Sequence, residues 1–311
     1  MVNRRTILRS ALALATGSAL VGTAGSESAS SVDGVLAPFD AGSVADAETT
    51  VVARVNPQAF DRVELPSGVE TRLSSLRNRY DSLSASALGP ARGSVALTGA
   101  QIVGAGVVVD GDFERSAVAS ELTAGSFSPA QGQAPDEVEV YRSKSAPYAV
   151  GLDTDTIAVG YGPEAVSPVA YVRAVFDSAS AASTRLTSMA KAIGGRSRAV
   201  ATFGRKTRSR TIKRIPSETS GLADIVAEAT AFGVGIDVTE GRSTVTYGVD
   251  IDPAAVSADT YWDLITRSAN RAEGFELGSV GQDGRTIVVR GTVPTDGLWS
   301  VHAELIGIEA E

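Results

Sequence analysis

Val150-Gly151-Leu152-Asp153-Thr154-Asp155-Thr156-Ile157-Ala158-Val159 recurs 130 residues later as Val280-Gly281-Gln282-Asp283-Gly284-Arg285-Thr286-Ile287-Val288-Val289. Six of the ten positions are identical, in the pattern V-G-x-D-x-x-T-I-x-V. A strand end, a short Asp/Gly/Thr turn and a β-branched strand predict a β-hairpin in each place. If the match marks a repeat, other echoes must lie at similar offsets.

They do. Leu65-Pro66-Ser67 precedes a helical pattern in which Ser67 and Glu70 have capping-box spacing. Val69, Leu73, Leu76, Tyr80 and Leu83 then share one face at steps of three and four. Ile215-Pro216-Ser217, 150 residues on, precedes a second pattern with Leu222, Ile225, Val226 and Ala229 on its apolar face. Strands are predicted at Thr50–Val55, near Ser94–Thr98 and at Gln101–Val109, the last two matched by Gly233–Val238 and Ser243–Ile251. Val109-Asp110-Gly111-Asp112 corresponds to Val249-Asp250-Ile251-Asp252, an offset of 140. A helix is expected after each, over 113–124 with Asp112 as its cap and over 253–270 with Asp252 as its cap. Ser126–Asp136 reads as a surface loop inserted in the first copy. A closing helix at Ser167–Ser180 has a weak partner around Asp296–Ala303.

These echoes predict an α+β protein of two related β-α-β-β-α-β-β-α units, with largely antiparallel sheets covered by helices. The expected divisions are residues 1–24 as a signal peptide, 25–48 as a flexible linker, 49–183 as the first unit and 184–311 as the second. Whether the units share one sheet is left open by the sequence.

The export signal rests on Asn3-Arg4-Arg5-Thr6-Ile7-Leu8-Arg9, followed by an apolar run from Ala11 to Ala24. Paired arginines, a spacer, two apolar residues and a further base resemble the twin-arginine signal of exported proteins, with Arg4 and Arg5 as its defining pair. The run of 14 residues falls short of the roughly 20 a membrane helix needs, so no transmembrane anchor is expected. The resemblance implies the twin-arginine translocase as a partner during export, and a protein secreted or held at the cell surface. Of the basic residues 24 are Arg and 4 are Lys, a balance that resembles proteins of high-salt, GC-rich archaea. Loss of residues 1–24 removes three arginines and no acid, leaving 25 basic residues against 36 acidic.

Composition excludes much chemistry. No cysteine means no disulfide, thiol nucleophile or thiolate metal site. The single histidine, His302, stands without any G-x-S-x-G, so it is read as a structural residue and not as part of a hydrolase triad. No phosphate-binding G-x-x-x-x-G-K-S/T is present, and no cofactor is expected. Three D-x-D pairs, Asp110/Asp112, Asp250/Asp252 and Asp153/Asp155, could hold a divalent cation or act as an acid/base pair. Capping and turn roles explain them more simply.

The least ordinary stretch is basic. From Ser178 to Ser217 there are ten basic residues and no acid. Arg205, Lys206, Arg208, Arg210, Lys213 and Arg214 form its candidate polyanion-binding set, for an acidic polymer or the acidic cell surface. The alternation from Arg198 to Arg214 suggests a hairpin with one charged face. Phe203 alone interleaves an aromatic ring, so nucleic acid is disfavoured as a partner. Internal pairing with the acidic remainder is the simpler account of the strip. The sequence therefore favours an exported, non-enzymatic binding or structural protein. Two alternatives stand beside it: a secreted hydrolase using carboxylates, with or without a divalent cation, and a polyanion-binding or antagonistic secreted factor.

Overall fold

The computed structural model describes residues 39–56, 63, 88–99, 101–130, 137–163, 166–177, 184–212, 226–251, 263, 266–267 and 273–305. The expected helix over 67–83, the Asp252 cap, the signal peptide with Arg4 and Arg5, and Lys213 and Arg214 lie outside them; of the expected helix over 253–270 only Asp263, Thr266 and Arg267 are described, all helical.

The hairpin prediction is met at both places. The strands are β1 (Thr49–Val55), β2 (Leu88–Thr98), β3 (Gln101–Gly111), β4 (Phe127–Pro129), β5 (Glu139–Ser143), β6 (Tyr148–Leu152), β7 (Thr156–Tyr161), β8 (Ser197–Thr202), β9 (Ala231–Asp237), β10 (Arg242–Asp250), β11 (Glu276–Asp283) and β12 (Thr286–Pro294). In the first hairpin Val150 pairs with Val159 and Leu152 with Ile157. In the second Val280 pairs with Val289 and Gln282 with Ile287, the same register. Gly284 takes a left-handed φ of 58° in the second turn, a conformation glycine adopts without steric cost.

All twelve strands join one sheet in the order β11-β12-β10-β9-β8-β1-β2-β3-β7-β6-β5-β4, and every neighbouring pair is antiparallel. The two expected units therefore share a sheet. The seam is β1 against β8, with Val52 opposite Val200 and Ala53 opposite Ala199. Outward from it the order runs β1-β2-β3-β7-β6 on one side and β8-β9-β10-β12-β11 on the other.

Six helices pack on this sheet among the described residues: α1 (Ala41–Ala45), α2 (Arg115–Ala124), α3 (Pro168–Asp177), α4 (Thr184–Ile193), α5 (Arg205–Ile212) and α6 (Leu298–Leu305). On one face, Val52, Val200 and Ala231 lie under Leu186, Met189 and Ile193 of α4. On that face too, Ala96, Val108, Ala149 and Ala158 lie under Phe39, Ala41 and the Val169, Tyr171, Val172 and Val175 stripe of α3. The opposite face packs Val150, Leu152 and Ile157 against Val118 and Leu122 of α2. Farther along, it packs Val234, Ile236, Val245 and Val293 against Leu298 and Val301 of α6. Close approach is set by glycine: a Cβ at Gly104 would enter the Tyr171 ring, and one at Gly106 would meet the Phe39 ring.

Several expectations need correction. Residues 39–48 are not linker. Phe39 and Ala41 are fully buried, Asp40 caps α1 by accepting from the Gly42 amide at 2.8 Å, and Ala41 donates to Ser94 Oγ at 2.9 Å. The expected loop at 126–136 begins instead with β4, and β5 follows, so the first side carries two strands for which the described residues show no counterpart across the seam. Asp112 is exposed and does not cap α2, whose N-cap is Glu114 with no side-chain cap bond. The basic stretch is not a hairpin; β8 leads into helix α5, and α4 precedes it. A ring removed from a fully buried site leaves a cavity, so Phe39→Ala is expected to lower stability by about 3–5 kcal/mol. Urea denaturation measures it, and an unchanged midpoint would mean that residues 39–48 behave as linker after all.

Candidate functional site

The basic segment divides into charges that hold the fold and charges that face solvent. Arg185, on α4, reaches the buried carboxylate of Asp250 at the end of β10, with Nε 3.4 Å from Oδ2. Arg285, in the β11–β12 turn, approaches the other oxygen at 3.3 Å, and Thr230 Oγ1 donates to Oδ2 at 2.9 Å. Asp110 occupies the matching place on β3, ion-paired to Arg92 at 2.5 Å, with Thr156 Oγ1 donating to it at 3.3 Å. Both carboxylates thus fasten strand ends. Asp153 sits in its hairpin turn as expected, accepting from the Thr154 amide at 2.7 Å.

Helix α5 is delivered to one end of the sheet directly after β8. A buried hydroxyl relay anchors it: Thr49 Oγ1 donates to Thr207 Oγ1 at 2.9 Å, and Thr207 Oγ1 donates to the Gly99 carbonyl at 2.9 Å. The Gly204 amide, just ahead of the helix, donates to Thr49 Oγ1 at 2.9 Å. Arg208 turns inward, donating to the carbonyls of Ala227 at 3.1 Å and Phe203 at 3.4 Å. It belongs to the scaffold.

Arg205 and Lys206 do the opposite. Both are exposed on the first turn of α5, and neither forms an ion pair among the described residues. Cations there sit at the positive end of the helix dipole, an arrangement that disfavours the helix and concentrates positive potential. With Thr98, Gly99 and Ser209 they line an open depression of about 580 Å³. Of the six candidate polyanion-binding residues, the structure brings Arg205 and Lys206 together at this depression and assigns Arg208 elsewhere. Arg210 also lies on α5. Sequence reading missed Thr98, Gly99 and Ser209, because the β2–β3 turn meets α5 only through sheet pairing.

His302 lies on α6, buried, with Nδ1 2.7 Å from the Tyr247 hydroxyl. Burial pushes the Tyr247 phenol well above its ordinary range, so it stays a neutral partner. The two rings stack in parallel at 5.7 Å, and Trp299 meets His302 edge-on at 6.4 Å. The geometry is that of a core histidine. Among the described residues no three His, Asp or Glu side chains cluster as metal ligands would.

No family model matches the chain, and no curated protein does. Among solved structures it is similar to crystal form I of TP0453, with a TM-score of 0.51 and 11% identity over 89% of this chain and 100% of that one. Crystal form III of the same protein aligns with a TM-score of 0.49 and 12% identity, over 83% of this chain and 95% of that one. At such identity the likeness to crystal form I is one of fold.

The division of charges has a measurable consequence. Asp250→Asn leaves two arginines without their buried carboxylate, and is expected to cost about 1–3 kcal/mol, since both arginines still reach water. Arg205→Glu with Lys206→Glu is expected to cost no stability and to add up to about 1 kcal/mol, because acids suit the N-terminal turn of α5. Paired urea titrations test this; equal losses in the two variants would undo the distinction.

Proposed function

We propose that this chain is exported by the twin-arginine route and acts outside the cytoplasm as a non-enzymatic binding protein. Its α5 depression meets an anionic partner surface. The observation that carries this reading is the pair Arg205 and Lys206: exposed, without an ion pair among the described residues, and set on a helix turn that disfavours cations. Charges kept at an energetic disadvantage and not neutralised by an ion pair among the described residues point to a partner that supplies the acid. An open depression suits a flat or polymeric anion better than a small enclosed substrate. We also infer that residues 49–183 and 184–311 descend from one unit. The matched strand order either side of the seam and the shared hairpin register support it.

Two experiments bear on this reading. On immobilised heparin, used as a sulfated polymer probe, the Arg205→Glu/Lys206→Glu variant is expected to elute at distinctly lower salt than wild type, because each removed contact releases fewer counterions. Arg142→Glu/Lys144→Glu, an exposed pair far from α5 in sequence, carries the same change in charge and is expected to elute near wild type. Identical elution of all three proteins would sink the anionic-partner reading. For export, a shortened chain is expected in the medium of the native culture and is lost with Arg4→Lys/Arg5→Lys. Full-length chain in the cytoplasm of both strains would overturn that part.

A further inference from the structure

The twin hairpins differ in what lies beside them. On the first side, the outer edge of β6 is taken by β5, antiparallel, with Val140 opposite Gly151 and Tyr141 opposite Val150. Tyr141 closes the cluster of Val150, Leu152 and Ile157, leaving Val150 only 8% exposed and Leu152 fully buried. Burial and a hydrogen bond to Glu139 raise the Tyr141 phenol to about 12. On the second side β11 pairs with β12 alone among the described residues. Val280, at the position of Val150, is only half-buried against Ile287, Ile251 and Phe232. Gly278, Ser279, Gly281 and Gln282 are exposed, and no charge interrupts Leu277 to Gln282. A long, uncharged, unpaired edge is the feature that strand addition uses.

We propose that the outer edge of β11 is a docking site for an extended segment of a partner protein, added antiparallel in the register that β5 uses on β6. The chemistry of the occupant follows from β5. An aromatic residue falls opposite Val280 and completes its apolar cluster on one face, and a β-branched residue falls opposite Gly281. This site is separate from the α5 depression and does not depend on the anionic partner.

The chain supplies its own probe: a labelled peptide of residues 137–145, Glu-Val-Glu-Val-Tyr-Arg-Ser-Lys-Ser. With the full mature chain, fluorescence anisotropy is expected to show saturable binding, and replacing the peptide tyrosine by alanine is expected to weaken it about fivefold, the worth of one cross-strand aromatic pair. N-methylation of alternate peptide amides is expected to abolish binding in one phase and spare it in the other, because only alternate amides face the edge. Hydrogen exchange in residues 276–283 slows on binding. In the chain, Val280→Asp is expected to weaken binding at least as much as the peptide alanine, with its melting curve as the control for folding. The proposal is overturned by no saturation at ~1 mM peptide, by a scrambled peptide binding equally, or by exchange changing at 148–152 in place of 276–283. A peptide-free dimer protected along β11 would overturn it equally, since the occupant would then be a second copy.

Discussion

The pairing of β1 with β8 is the constraint on which the rest of the molecule depends. Each strand is central, so both of its edges are used: β1 by β2 and β8, β8 by β1 and β9. Without that seam the chain would be two smaller sheets, each with an exposed inner edge carrying unpaired amides and carbonyls. The middle of the seam is small-residue and apolar, while Thr50 faces Thr202 at one end and Arg54 faces Arg198 at the other. Ala53 faces Ala199, and Val52 and Val200 lie together under α4. Burying those strands on one face under Leu186, Met189 and Ile193 makes the joint a hydrophobic core as well as a hydrogen-bonded ladder. The seam also decides where α5 goes, because β8 releases the chain beside the β2–β3 turn, where Thr207 can bond the Gly99 carbonyl.

What could be read from sequence was what is local. The hairpins at 150–159 and 280–289 are contiguous, and a β-branched run after an Asp or Gly turn specifies register through nearest neighbours alone. Strands β1, β9 and β10, and helix α3, were legible for the same reason. The basic stretch was not. Lys206, Arg208 and Arg210 fall at steps of two, which reads as a strand, yet they lie on a helix, and α5 owes its place to Thr49 and Gly99, far away in the chain. Residues 39–48 misled by composition. Ala, Gly, Ser and Asp look like linker, yet a small-residue helix is what fits against Ser94 and beneath the glycines of β3.

Electrostatics in this chain is therefore not one effect. Asp250 and Asp110 were visible as D-x-D acids, but their arginines lie at 92, 185 and 285, and only the sheet brings them within reach. These pairs tie loops and helices to strand ends, where water still screens the arginines and each contact contributes modestly. Arg208 spends its donors on backbone carbonyls. Within the ten-residue basic run, Arg185 and Arg208 are thereby taken up by the scaffold, whereas Arg205 and Lys206 meet at one depression. An average charge over the strip conceals this; the residue-by-residue partners reveal it.

The two sides of the sheet share a strand order but not their finish, and the difference is physical. On the first side, the extra strands β5 and β4 step the edge down to three residues ending in Pro129, a length and a residue that resist further pairing. On the second, the sheet stops, among the described residues, at an eight-residue strand whose defences are a register shift between Leu277 and Ser279, two glycines, and acids only at its ends. Glycine weakens a strand, and a bulge turns part of its edge aside, so β11 is guarded against indiscriminate aggregation without being closed to a segment that matches it. A fully protected edge would carry a lysine or proline near Val280. The chain places neither there, and the half-buried valine marks where a matching side chain would gain the most.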